Sequence, residues 1–518
     1  MIPAWTLRIV ALGLLAACRG DGSPAADPPT PGETAATSDT GSTPPGPTGL
    51  GTTSPTGAPT TSADTGEPPP FELAEIQWTD CGEGTTCADV QVPADHDDPS
   101  GPTLTVHLRR SKGLPARRTL WLVDGGPGDP GTRLVPVITF FQDVFPDLTI
   151  IAADHRGTGG STPLACPSTA PDGTIGDGEW AACAAEADTQ LPLAWFTAEA
   201  AARDLALLVP AASDGDAVVW GISYGTHVVQ RLLAMQPAGV EGAILDGLVP
   251  PDWTFADFDG HMDEVGRDYL ALCDGDAACA ARLGGDAVAF VEAALAGPTC
   301  GAVDATGLRA LLGALLLQGD DRAGLPAVAY RYARCSSGDE AALAHLVGTF
   351  EGVEDDQNEL VLVNIGTHEL WPVAGAPSAT QAAAALDATV VATGAGAWMA
   401  ARAEDWPRHD VVALDPSAAS AVQVPVLLLH GGLDPTAPLH ATAALRGAYP
   451  EGQAVVPPGA GHVALNFSDC AADAYVQFLA SPGAPVSSCE SEPFSESFDL
   501  SAAASLRLFG EEDPWGDP

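Results

Sequence analysis

The sequence predicts an α/β fold in which a mostly parallel sheet, flanked by helices, is interrupted by an inserted helical cap. Three observations predict it: short apolar runs bounded by glycines, segments of helical period between those runs, and a long stretch rich in Ala, Leu and Gly. Short buried runs that alternate with helices are typical of parallel strands joined by crossover helices.

The predicted strands follow one another along the chain. Residues 87–112 alternate apolar and polar side chains around a turn sequence at 97–101, which predicts a β-hairpin. Strands buried on both faces are predicted at residues 119–123, 148–153, 217–220, 242–245 and 424–429, and another short strand is predicted at 454–456.

Helices and domain boundaries complete the fold prediction. Residues 197–209 carry apolar side chains at helical spacing, and residues 227–235 supply a helix after a strand. Residues 251–420 form the predicted helical cap, which divides the core into two parts, 71–250 and 421–489. Residues 490–518 form an acidic C-terminal tail, for which we expect partial disorder.

The N-terminus predicts export and lipid attachment. Residues 1–17 place Arg8 before an apolar run too short to cross a bilayer, as in a signal peptide. The run ends at Cys18 in Leu-Ala-Ala-Cys, which resembles the bacterial lipobox, so we expect acyl chains to hold the protein on a membrane surface. Arg19, in place of a retaining Asp, favours the outer membrane or cell surface. Residues 18–70, rich in Gly, Pro, Ser and Thr, form a disordered tether.

The charge balance excludes one class of partner. The chain has 68 acidic and 21 basic side chains, and its net charge is -47. Such a polyanion repels nucleic acid, so no nucleic-acid partner is predicted, and the acidity serves mainly solubility. The sequence does not determine the oligomeric state.

The cysteines predict disulfides rather than a metal site. Without Cys18, ten of the eleven remain, an even number in a chain predicted to leave the cytosol. No paired C-x-x-C spacing occurs, so no metal and no cofactor are predicted. Neighbouring cysteines give five local pairs: Cys81–Cys87, Cys166–Cys183, Cys273–Cys279, Cys300–Cys335 and Cys470–Cys489.

A G-x-S-x-G sequence at residues 221–225 lies between a predicted strand and a predicted helix. This strand-turn-helix context is what a nucleophile elbow requires, because glycines on either side permit the tight turn that exposes a serine. We therefore predict Ser223 as a nucleophile.

A serine hydroxyl needs an imidazole to accept its proton and a carboxylate to orient that imidazole. Asp434 directly follows the predicted strand at 424–429, and His462 follows the one at 454–456. Both residues come after Ser223 in the order acid, then base, which completes a predicted catalytic triad.

The negative charge of a tetrahedral intermediate needs preorganised N–H donors. We predict two: the backbone N–H of Tyr224, which follows the nucleophile, and that of Gly126 in the Gly-Gly-Pro-Gly loop at 125–128 after a strand.

A second glycine cluster at residues 154–161 is interpreted as a structural turn. Its glycines alone are weak evidence for phosphate binding, and no Lys-Ser or Lys-Thr pair opens a helix there. We expect Asp154 and Arg156 to make local polar contacts, and we interpret His155 as structural because His462 fits the catalytic order.

These motifs together resemble the α/β-hydrolases, and within them the prolyl iminopeptidase and tripeptidyl aminopeptidase (TAP-like) branch of serine exopeptidases. The resemblance covers roughly residues 81–480 and rests on six segments: 87–93, 125–128, 154–161, 221–226, 433–435 and 459–462. It implies release of residues from the amino terminus of peptides, with Ser223, Asp434 and His462 as the triad and Gly126 and Tyr224 as oxyanion donors.

The sequence departs from this family at several positions. Asp124 stands where many members carry His or Asn, and Thr436-Ala437 replaces the usual Val-Thr. The cap is matched least. Members use carboxylates to hold the free amine of the substrate, and Glu369 is the candidate for that role here.

Three functions remain open from the sequence. The first is an exopeptidase acting on peptides through an acyl-enzyme, and the second is a carboxylesterase or lipase with the same triad. The third is a surface binding module that retains the fold without its chemistry.

Overall fold

The computed structural model describes residues 71–112, 118–171, 173–351, 356–372, 374–492 and 494–516. The predicted signal peptide, Cys18 and the tether lie outside these residues. Among the described helices, none combines the length and apolar character needed to cross a membrane.

The described strands form one nine-stranded sheet in the order β1-β2-β3-β5-β4-β6-β7-β8-β9. Strands β1 to β3 pair antiparallel, β3 joins β5 antiparallel, and the remaining pairs are parallel, which confirms the predicted mostly parallel sheet. The strands are β1 Thr79–Gly82, β2 Thr85–Pro93, β3 Thr103–Ser111, β4 Arg118–Val123, β5 Leu148–Ala153, β6 Asp216–Ile222, β7 Val240–Asp246, β8 Val426–Leu429 and β9 Gly452–Val455.

The central strands are continuous apolar runs because both faces of the sheet are covered. In β4, Trp121 and Val123 pack into one hydrophobic cluster, while Leu120 and Leu122 pack into another. Alternate side chains of a strand point to opposite faces, so this division places one cluster on each side of the sheet.

Helices beside the sheet connect its strands or follow the last of them. Thr197 precedes α3 and its hydroxyl accepts a hydrogen bond from Ala200 N at 3.1 Å, so the predicted helix at 197–209 begins at an N-cap. These helices are α1 Val135–Val144, α2 Trp180–Gln190, α3 Ala198–Ala212, α4 Tyr224–Ala234, α14 Leu439–Arg446 and α15 Asp469–Ala480.

A run of helices lies between β7 and β8, the interval in which the sequence predicts the cap. These helices are α5 Phe255–Leu272, α6 Ala277–Leu283, α7 Ala287–Leu295, α8 Ala305–Leu316, α9 Leu325–Arg334, α10 Ser337–Glu351, α11 Glu359–His368, α12 Ala379–Asp387 and α13 Ala395–Ala403.

The expectation of disorder in the acidic tail is wrong for the residues that the structure describes. A further helix, α16 Ala502–Phe509, forms there, and Phe498 and Trp515 are buried. Arg331 of α9 donates to Pro514 O at 2.6 Å, and its guanidinium is 2.6 Å from the Glu511 carboxylate. Apolar side chains scattered through the acidic sequence anchor the tail on the cap, and cap arginines offset its charge.

The five predicted disulfides are all formed, with Cα–Cα distances of 5.1–5.8 Å. Because disulfides persist in oxidising compartments, they indicate an exported protein.

Candidate active site

Ser223 occupies the tight turn between β6 and α4. Its φ is 53°, a left-handed conformation that is rare for residues other than glycine. The glycines on either side make the turn possible: a Cβ on Gly221 would lie 2.6 Å from Gly225 O, and one on Gly225 would overlap the carbonyl oxygen of Val123. The strain and the close packing explain why the sequence needs G-x-S-x-G here.

The structure brings Ser223, His462 and Asp434 together. His462 Nε2 is 2.9 Å from Ser223 Oγ, and His462 Nδ1 is 2.9 Å from Asp434 Oδ2. The serine is 8% exposed, and the side chains of the other two are fully buried. Because the 2.9 Å contact to Asp434 gives Nδ1–H an acceptor, Nε2 is left to accept the serine proton.

Asp434 is held as an anion by its surroundings. Burial by itself raises the pKa of the carboxyl group, but the nearby His462 and His430 and hydrogen bonds from His462 and Thr436 outweigh it and bring the pKa well below its usual value. Thr436 donates to Asp434 Oδ1 through its backbone N at 2.9 Å and its hydroxyl at 2.7 Å. Thr436 is one of the predicted departures from the family pattern, and its hydroxyl supplies part of this support.

The glycine loop lies directly against the nucleophile. A Cβ on Gly125 would be 2.9 Å from Ser223 Cβ, and Gly126 has a φ of +100°. Tyr224 N stands at the first turn of α4, immediately after Ser223. Both predicted oxyanion donors therefore belong to backbone segments that border the serine.

The sequence does not reveal how this loop is anchored. Asp124, fully buried, accepts a hydrogen bond from Gly125 N at 2.7 Å, and each of its carboxylate oxygens is 3.0 Å from Arg133. Arg133 also pairs with Asp129 at 2.9 Å. Asp124, the other departure from the family pattern, therefore links the loop through its carboxylate to Arg133.

The 154–161 segment is a turn, but its polar contacts are not all local as expected. Asp154 accepts hydrogen bonds from Thr132 N and Gly160 N at 2.7 and 2.8 Å. Arg156 is buried and binds both carboxylate oxygens of Asp204 at 2.8 and 2.6 Å. A buried guanidinium needs a counterion, and the fold supplies it from α3, 48 residues away. His155 Nε2 contacts Asp124 O at 3.1 Å, which agrees with a structural role.

The cap touches the glycine loop through two adjacent residues. Asn358 N donates to Gly128 O at 2.9 Å, and Gln357 places its Nε2 3.2 Å from the position that a Cβ on Gly126 would take. The Asn358 amide also donates to Gly157 O and Leu164 O at 2.8 and 2.9 Å. These bonds fix Gln357 beside a predicted oxyanion donor.

Glu369 is committed to partners within the chain. Its Oε1 accepts from Ala198 N at 2.7 Å, and its Oε2 lies 3.2 Å from Arg231 Nη2. The side chain is 1% exposed, and burial raises the pKa of its carboxyl group. Since both carboxylate oxygens have partners and the side chain is buried, Glu369 has a structural function in place of the predicted amine-binding role.

A cavity of about 420 Å³ lies elsewhere, between α2, α12 and α13. Trp180, Trp398, Trp406 and Arg402 line it together with small side chains, and no member of the predicted triad does. This cavity is therefore separate from the serine site.

Two family models match the chain. Residues 119–264 match the model described as alpha/beta hydrolase fold, and residues 371–490 match the one described as TAP-like protein. The first match contains Ser223, and the second contains Asp434 and His462. The chain has the α/β-hydrolase fold, and its C-terminal part is similar to TAP-like proteins, as the motifs predicted.

Solved structures with similar folds include esterases and a peptidase. An esterase from Thermogutta terrifontis is 16% identical, with 76% of this chain and 98% of that one covered and a TM-score of 0.34. A serine hydrolase from Cycloclasticus zankles is 13% identical, with 77% and 98% covered and a TM-score of 0.38. A proline iminopeptidase from Mycobacterium smegmatis is 16% identical, with 73% and 92% covered and a TM-score of 0.35. No curated protein matches. The similarity to these solved structures is too weak to indicate a substrate.

Proposed function

We propose that this protein is a serine exopeptidase that releases residues from the amino terminus of peptides through an acyl-enzyme intermediate. The observation that carries the chemistry is the hydrogen-bonded chain from Ser223 through His462 to Asp434, at 2.9 Å for each contact.

In this mechanism His462 Nε2 removes the proton from Ser223 Oγ as the oxygen attacks the scissile carbonyl carbon. The protonated imidazole then gives that proton to the leaving amine, and the C–N bond breaks. Water then loses a proton to Nε2 as its oxygen attacks the acyl carbon, the bond from that carbon to Ser223 Oγ breaks, and Nε2 returns the proton to Oγ. Asp434, kept ionised by its surroundings, stabilises the imidazolium in both halves of the reaction.

The negative charge of each tetrahedral intermediate falls on the former carbonyl oxygen. Gly126 N and Tyr224 N are the proposed donors, because both backbones border Ser223. Preorganised donors need no rearrangement as the charge forms, and loss of one typically costs about 3–4 kcal/mol of transition-state stabilisation.

Two observations support a peptide substrate over a simple ester. The TAP-like match covers the region that supplies Asp434 and His462. In addition, Gln357 and Asn358 of the cap lie on the glycine loop, and we infer that they restrict the substrate on that side of the serine.

A substrate panel tests the proposal. Aminoacyl and peptidyl nitroanilides with free or blocked amino termini are compared with p-nitrophenyl esters, and released product is measured. We expect turnover of free-amine nitroanilides and little turnover of the blocked ones. Turnover of the esters alone would favour the carboxylesterase alternative. A fluorophosphonate that fails to label the wild type would favour a binding module.

We also propose that acyl chains on Cys18 hold the exported protein on a membrane surface, with residues 19–70 as the tether. The prediction is incorporation of labelled palmitate into the wild type, lost in Cys18→Ala, with the variant recovered in the soluble fraction. Equal incorporation in both proteins would contradict it.

A further inference from the structure

One buried residue, Asp246, accepts hydrogen bonds from the backbone at Ser223 and from the backbone shortly after His462. It ends β7, opposite Ile222 of β6, and is fully buried. Its carbonyl oxygen accepts a hydrogen bond from Ser223 N at 2.9 Å. Its carboxylate accepts from Ala464 N at 2.7 Å and from Leu465 N at 3.3 Å. These two amides follow His462 by two and three residues.

The loop that Asp246 holds has a strained backbone. Val463, directly after His462, has a φ of 62° although it is β-branched. Such a residue disfavours the left-handed region, and the strain persists only where the surroundings enforce it. The two amides bound by the carboxylate are the next two along the chain, so Asp246 restrains Val463 at its C-terminal side.

Gly247 restrains the imidazole itself. It has a φ of +69°, and a Cβ at this position would lie 2.9 Å from His462 Cε1 and 3.1 Å from Nδ1. The ring therefore rests against the Gly247 backbone. The dipeptide Asp246-Gly247 thus fixes His462 both through its chain and through its ring.

We propose that Asp246 is a positioning residue of the triad: its carboxylate holds the loop after His462 in the strained conformation that brings the imidazole to Ser223, an assignment that rests on the proposed function. It acts through backbone amides and touches neither the serine hydroxyl nor the imidazole nitrogens.

The charges around Asp246 connect this role to pH. Burial raises the pKa of its carboxyl group to about 7, against the lowering effects of the two backbone N–H groups and His462, while Asp434 raises it further. Tyr475 also faces it, and the pKa of that phenol is raised by burial and by Asp246. The ionised carboxyl is the stronger acceptor at both oxygens, so protonation as the pH falls through about 7 weakens its bonds to the two amides.

Asp246→Asn tests the inference because the amide keeps the shape but offers one acceptor oxygen in place of two. The enzyme is labelled to completion with a fluorophosphonate to count active sites, and kcat, KM and the pH profile of kcat/KM are measured per site. We expect kcat per site to fall about 10–100-fold, KM to stay within about twofold, and the acid limb to move to lower pH.

Asp259→Asn is the matched control. Asp259 is also a buried carboxylate, with backbone donors at Gly394 N and Ala397 N, 2.9 and 3.1 Å away, but these lie in the cap. This variant is expected to lose thermal stability while kcat per site and the acid limb match the wild type. The same behaviour in Asp246→Asn would overturn the inference, since it would show a structural role alone.

A second pair of variants covers failure of Asp246→Asn to fold. Asp246→Asn combined with Val463→Gly is compared with Val463→Gly alone, because glycine adopts a positive φ without strain. A lower kcat per site and a shifted acid limb in the combined variant are expected, and equal values overturn the inference. A wild type that neither labels nor turns over substrate instead overturns the proposed function itself.

Discussion

The sheet edge and the cap contribute to the site in different ways. Ser223, Asp434 and His462 all lie beyond the carboxyl ends of β6, β8 and β9, where parallel strands converge. The cap meets this edge at several points, among them Gln357 and Asn358, which contact the glycine loop. We infer that the core performs the chemistry and that the cap limits which substrates reach it, so changes to the two regions should affect different kinetic constants.

The largest effect is expected for Ser223→Ala. Removal of the nucleophile should lower kcat by about 10⁶-fold without loss of folding, as judged by circular dichroism. Ser100→Ala, at an exposed serine of the hairpin turn, is the control and should match the wild type. A Ser223→Ala enzyme that retains more than a trace of turnover would place the chemistry elsewhere.

Asp434→Asn should lower kcat by about 10⁴-fold, because the amide favours the wrong imidazole tautomer and leaves the imidazolium without its counterion. The surroundings of Asp434 keep its pKa below the usual value for an aspartate, so the wild-type carboxylate is ionised at neutral pH. Its titration should therefore not appear in the pH profile near neutrality. Steady-state kinetics across pH measure both effects. Asp410→Asn, at an exposed carboxylate, is the control.

Asp124→Asn should lower kcat by roughly 10–100-fold, because the glycine loop loses the ion pair that anchors it beside Ser223. Asp263→Asn is a matched control in the cap, since Asp263 also pairs with an arginine, Arg267, at 2.8 Å. A loss of the same size in both variants would mean that general destabilisation explains it.

Gln357→Ala tests the part assigned to the cap. We expect KM for peptidyl nitroanilides to rise about three- to tenfold, with kcat nearly unchanged, because the variant removes an amide and its packing beside Gly126. Gln91→Ala, at an exposed glutamine of β2, serves as control. A fall in kcat with constant KM would assign Gln357 to the chemical step and contradict the division of roles between core and cap.

The smallest effect on activity is expected from removal of a cap disulfide. Replacement of Cys300 and Cys335 by alanine opens a bond between residues 35 apart in sequence, which should cost about 3 kcal/mol of stability. Calorimetry should show a Tm lower by roughly 3 °C, with kcat at room temperature unchanged. Lost activity at full folding would show that the cap takes part in the chemistry.

Features set by local chemistry could be predicted from the sequence. The strands around the site are short apolar runs, and the turn at Ser223 needs glycines on either side, so the strands and this turn are recognisable in the sequence. The five disulfides were predictable because each joins cysteines that are near in sequence.

Features set by long-range contacts could not be predicted. Asp246 reads as the last residue of a strand, and only the fold brings its carboxylate to the amides of Ala464 and Leu465. Glu369 is the candidate amine site by analogy with the family, and only the fold reveals that its carboxylate pairs with Arg231 of another helix. The acidic composition of the tail predicts disorder, whereas Arg331 of the cap pairs with Glu511 in it.

The proposed mechanism depends on Ser223 as the nucleophile, activated by His462 and Asp434. Its most direct test is mass spectrometry of the full chain after reaction with a fluorophosphonate, with Asp434→Asn labelled in parallel. We expect one modified serine, Ser223, and much slower modification in the variant. Modification of another serine, or an equal rate in both proteins, would contradict it.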